Sequence, residues 1–141
     1  MYTTDIKSQD EALTHLFFHC CLKDKVLADA ELEAVSAKLV AAGLNKTLNF
    51  KDEIVKYRNY SEAISSETEY LRFLVEQINP VNELALYSYC AELVLSDNTM
   101  SPEEEALLVN IGETLGLEDT EQAIVKRLMI QRKVVETDKL F

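Results

Sequence analysis

"AELVLSDNTMSPEEEALLVNIGETLGL", residues 91–117, places two apolar helical runs on either side of a short acidic segment. Ahead of the segment Leu84, Tyr87, Ala91 and Val94 recur at helical spacing, and after it Leu107, Leu108, Ile111 and Leu115 do the same. Recurrence at three and four residues gives each helix an apolar stripe that another element has to cover. Ser101-Pro102-Glu103-Glu104 is a strong helix start. Ser101 is placed to cap it, Pro102 sits where a missing N–H does no harm, and Glu104 is placed to close a capping box. Gly116 follows the last periodic residue, the position favoured for a left-handed cap. The stretch predicts a helix from Val81 to about Ser96 and a second from Pro102 to just before Gly116.

Outward from this pair the periodicity stays helical. Leu13, Leu16, Phe17 and Cys20 predict a helix over about Asp10 to Lys25, and Leu32, Val35, Leu39 and Ala42 one that stops at Gly43. Further helices are expected from about Leu48 to Ser61, and from Ser66 to Ile78, where Asn79-Pro80 breaks the pattern because the residue before proline is pushed out of the α region. A last helix carries Ile124, Val125 and Leu128 toward Val135. Three glycines and two prolines in 141 residues are too few for many strand reversals. The expectation is an all-α chain, one compact domain over residues 1–141 with about seven helices.

Composition narrows the partners. Against 25 Asp and Glu stand 14 Lys and Arg, a net charge of −11, which repels nucleic-acid backbones and anionic membranes at long range. The apolar run "LTHLFFHCCL" is too short to span a bilayer, and "MYTTDIKSQD" has neither the basic nor the apolar region of a signal peptide. Cys20, Cys21 and Cys90, an odd count with a vicinal pair, do not form a disulfide framework. A reduced, cytoplasmic setting is the expected address.

The chain also echoes itself. "KDKVLADAELEAVSAKLVAAGL" and "SDNTMSPEEEALLVNIGETLGL" align without gaps: Asp24 matches Asp97, Leu27 matches Met100, Glu31 matches Glu104, and Gly43-Leu44 matches Gly116-Leu117. The pseudo-repeats extend over about 10–44 and 81–117. An apolar helix, an aspartate, an apolar residue, Ser-x-x-Glu and a second apolar helix resemble the tellurite-resistance TerB-like family. The resemblance is closer for the second copy than for the first. It implies an all-α fold and a non-enzymatic stress-response or interaction module. It also implies a divalent cation at the acidic interhelical segments and a protein partner. The sequence departs from the family pattern where glycine is expected after the aspartate, with Lys25 in one copy and Asn98 in the other, and Ala28 replaces the serine of the first. Asn98 still tolerates a left-handed turn, whereas Lys25 sets a positive charge beside Asp24.

Helix-start chemistry accounts for Ser101, Pro102 and Glu104 without any ligand. Asp97 differs, because a carboxylate at a helix C-terminus opposes the dipole, and Asp24 has the same place in the first copy. The candidate metal ligands are therefore Asp24 with Glu31 and Asp97 with Glu104, flanked by Asp29 and Glu105. All-oxygen ligands suit Ca²⁺ or Mg²⁺. The segment is not an EF-hand, since Pro102 falls where that loop needs glycine and Leu108 where it needs glutamate. The alternative is a protein-interaction domain whose acids only cap helices.

His15 and His19, four residues apart beside Cys20 and Cys21, could offer two imidazoles to zinc. Without a second His or Cys cluster, the expected role is two histidines at the margin of a half-buried helix. Tyr57 and Tyr60 lie in a locally basic stretch with Lys51, Lys56 and Arg58. They read as covering the edge of the core, or as a partner-docking face. No Gly-x-Ser-x-Gly, activated cysteine or phosphate-binding glycine loop is present, so no enzyme is expected.

Overall fold

The computed structural model describes residues 2–22, 37, 49–94 and 102–137, with side chains for all of these except Leu22, Phe50 and residues 129–137. Among the described residues there are seven helices and no strand: α1 (Tyr2–Asp5), α2 (Gln9–Leu22), α3 (Phe50–Ser61), α4 (Glu67–Ile78), α5 (Glu83–Val94), α6 (Pro102–Thr114) and α7 (Asp119–Thr137). The chain is all-α, as its periodicity predicts. Of the helix expected around Leu32 to Ala42, Ala37 is described and is helical and exposed, and the remainder lies outside the described residues; α1 has no counterpart among the expected helices. The helices group into two units, Met1–Pro80 and Val81–Phe141.

In unit 1, α2 packs against both α3 and α4, and α1 packs against α3. Ser8 caps α2: its Oγ accepts from Glu11 N at 3.2 Å and donates to Glu11 Oε1 at 3.2 Å. Every residue from Ala12 to Cys20 is buried, so α2 has no solvent face over that span. This corrects the expectation that the histidines sit at a margin. His15 is 0 % and His19 4 % exposed, because helices on more than one side of α2 enclose its polar positions along with its apolar ones. Tyr57 and Tyr60 are buried as well, which rules them out as an exposed docking face and fits the core-edge reading.

The joints of unit 1 use ordinary cap chemistry. Asn49 Oδ1 accepts from Asp52 N to start α3, and Ser66 Oγ accepts from Glu69 N to start α4. Asn79 ends α4 in the left-handed region, φ 46°, with its N–H donating to Val75 O. Asparagine is one of the few non-glycine residues that adopt this conformation readily. Pro80 then prevents the helix from continuing.

In unit 2, α5 packs against α6 and α7. Its start falls at Glu83, two residues later than expected, with Asn82 Oδ1 accepting from Ala85 N at 3.0 Å. The helix buries Leu86, Tyr87, Cys90, Ala91, Leu93 and Val94, while Leu84, assigned above to the apolar stripe, is exposed. Burial pushes the Tyr87 hydroxyl up to about 12. Gly116, φ 75°, closes α6: its N–H donates to Glu113 O and that of Leu117 to Gly112 O, the paired bonds of a Schellman cap. Among the described side chains of α7, Gln122 and Val125 are buried, whereas Ile124 and Leu128 are exposed. Gln122 lies over Gly112, where a Cβ would overlap its carboxamide, and its Nε2 donates to Leu117 O at 3.1 Å.

Candidate functional site

His15 and His19 stand one turn apart on α2, so both imidazoles leave the same side of the helix. On α3, Glu53, Tyr57 and Tyr60 follow at spacings of four and three, again on one side. From α4 come Tyr70 and, at its first residue, Glu67. The three helices bring two imidazoles, three phenols and two carboxylates into one layer within unit 1.

The inner half centres on His15. Its Nε2 lies 3.0 Å from Glu53 Oε1 and its Nδ1 2.6 Å from Tyr60 Oη, which is in turn 2.6 Å from Tyr70 Oη. Lys56 Nζ meets the second Glu53 oxygen at 3.0 Å. An ionised carboxylate only accepts, so Nε2 carries the imidazole proton and Nδ1 accepts from Tyr60. Tyr60, having donated to His15, receives the hydroxyl proton of Tyr70. All donors therefore point one way, from Tyr70 through Tyr60 and His15 to Glu53, with the Lys56 ammonium on the far side of the carboxylate. Tyr2 caps the phenols with edge contacts to Tyr70 and Phe73, at 4.8 and 5.3 Å between ring centroids.

Burial holds the His15 pKa below its ordinary 6.5 and outweighs the opposing pull of Glu53. The direction of the chain works the same way. A proton on Nδ1 would force Tyr60 to donate toward Tyr70, whose hydroxyl has Tyr60 as its hydrogen-bond partner among the described residues. Burial likewise raises the pKa of Tyr60 and that of Tyr70 well above the usual phenol range. The bond to Glu53 raises that of Lys56.

The outer half repeats the arrangement nearer to solvent. His19 Nε2 lies 3.0 Å from Glu67 Oε2, and His19 Nδ1 lies 2.8 Å from Tyr57 Oη. The Glu67 side chain is 25 % exposed, against 5 % for Glu53, so this second group reaches the surface where the first does not. A cleft of about 460 Å³ opens there. His19, Tyr57 and Glu67 line it together with Ser61, Glu62, Ile64 and Ser65 around the α3–α4 turn.

Of the proposed metal ligands, Asp24, Glu31 and Asp97 lie outside the described residues, as does Asp29. Glu104 is half-buried in the first turn of α6 between the exposed Glu103 and Glu105. No group of three or more His, Cys, Asp or Glu side chains arranged to hold a metal ion occurs among the described residues. His15 and His19, whose spacing is compatible with zinc, each have one ring nitrogen against a carboxylate and the other against a phenol. The His–Glu–Tyr layer was missed as a unit, although its signal was present: an i, i+4 histidine pair and an i, i+4, i+7 Glu–Tyr–Tyr series of matching pitch. Comparison with protein-family models, curated proteins and solved structures found no match to this chain.

Proposed function

We propose that this protein is a non-enzymatic, cytoplasmic interaction module of TerB-like type, taking Ca²⁺ or Mg²⁺ at its acidic interhelical segments and acting through a protein partner. What carries the reading is the helix pair around residues 95–101. Helices α5 and α6 pack against each other, and Glu104 stands half-buried in the first turn of α6, after that acidic segment. The second reading, a protein-interaction domain without metal, draws on Glu104 standing in the first turn of α6, where an acid favours the helix with no ion.

The two readings separate in a melting experiment at fixed ionic strength. A ligand that binds only the folded state stabilises it by about 2.7 kcal/mol at a hundred times its dissociation constant. For a chain of this size that corresponds to a rise of roughly 5–10 °C. Millimolar Ca²⁺ or Mg²⁺ is expected to produce such a rise relative to EDTA in the native chain and none in Asp97→Asn. An unchanged melting temperature with both ions would leave the capping-only reading.

A further inference from the structure

We propose that the chain self-associates, with an exposed face of α7 in one copy seated against an exposed face of α6 in a second. On α7, Ile124 and Leu128 are 59 % and 53 % exposed, and Arg127 stands exposed between them. Residues at i, i+3 and i+4 share one side of a helix, so two large apolar side chains and a guanidinium form one patch. On α6, Glu105, Val109 and Glu113 recur every four residues, and all three are exposed, Val109 at 37 %. There a smaller apolar centre has a carboxylate about one turn to either side.

The two faces are complementary in charge as well as in apolar content. Over Pro102–Thr114 there are four acids and no lysine or arginine. From Lys126 to Thr137 there are four basic residues and a single acid, in a chain whose net charge is −11. One chain therefore holds both halves of the contact. Ile124 and Leu128 straddle Val109 of the other copy, and Arg127 meets Glu105 or Glu113 in a charge-assisted pair. Net repulsion between two acidic copies opposes this, but the two forces differ in range. At physiological salt the screening length is about 8 Å, so charges spread over the two surfaces are damped while a contact pair is not. An unrelated acidic partner would engage α7 alone, whereas a second copy engages both faces. The self-association requires neither a bound cation nor the family resemblance.

The test is sedimentation velocity of the full chain in EDTA at about 0.15 M salt, over about 10–1,000 µM protein. EDTA removes any bridging by divalent cations, and the mean mass should rise with concentration. Arg127→Glu should weaken association by at least about tenfold, since it sets like charges against each other. The paired change Glu105→Lys with Glu113→Lys should do the same. Mixed in equal amounts, the two variants should associate again, because each contact between unlike copies then joins opposite charges. Glu62→Lys, exposed at the end of α3, alters the net charge as much as Arg127→Glu does and should leave association nearly unchanged. Every altered position is exposed, and circular dichroism checks that each variant folds. A constant monomer mass up to the highest concentration would overturn the proposal. So would undiminished association of the folded Arg127→Glu variant, or a mixture no more associated than its two components.

Discussion

At His15 two demands meet: an imidazole with no exposure to water, and a carboxylate 3.0 Å away that favours its charged form. Burial prevails, and the linkage follows. Between the lowered folded value and 6.5 the unfolded chain binds more protons than the folded one. The stabilisation is therefore complete above 6.5 and declines as pH falls through that window. The urea midpoint should drop between about pH 7.5 and 5.5, and drop less in His15→Gln, which lacks the titrating ring. An equal drop in both would show that His15 does not couple to folding. The hydroxyl chain makes a second prediction at this scale. Tyr60→Phe leaves both the Tyr70 donor and the His15 Nδ1 acceptor buried without a partner, at about 1–3 kcal/mol for each. Tyr70→Phe removes only the terminal donor and should destabilise by about 1 kcal/mol. Chemical denaturation that ranks Tyr70→Phe as the more harmful change would contradict the assigned direction of the chain.

Helices α6 and α7 meet where Gly112 has no side chain. Glycine inside a helix is ordinarily worse than alanine by about 1 kcal/mol, so on propensity alone Gly112→Ala should stabilise. The Gln122 carboxamide occupies the space the methyl would need, and Gln122 is itself buried and bonded to Leu117 O. The expected sign is therefore reversed. Gly112→Ala should destabilise by roughly 1–3 kcal/mol through overpacking, and the double variant with Gln122→Ala should recover part of the loss. A purely additive double variant would show that the two residues do not compete for space. Asn79 makes a similar case at the end of α4, where Asn79→Ala should cost about 1–2 kcal/mol in the left-handed region, and thermal melts against Asn79→Gly would measure it. Most helix ends were legible because cap residues act within a turn of themselves. Leu84, Ile124 and Leu128 were misplaced because on these helices more than one apolar stripe can be drawn, and only a neighbour selects which is covered.

For the molecule as a whole, a charge of −11 acts on every measurement. Self-repulsion is screened by salt, so a rise from low to physiological ionic strength should stabilise the protein with no specific site involved. A melting series in NaCl would establish that baseline, and stability indifferent to salt would show that the charges are already locally balanced. The all-helical class and most of the places where helices start and stop are local or additive properties, written in nearest-neighbour chemistry and summed composition. The assembly of His15 with Glu53, Tyr60 and Tyr70, and of His19 with Tyr57 and Glu67, joins residues up to 55 positions apart in the chain. Spacing showed that each set shares a face of its own helix, but not which faces meet. That choice belongs to the packing of α2 between α3 and α4, where enclosure turned two marginal histidines into the centre of a buried polar layer and left one of them lining a cleft.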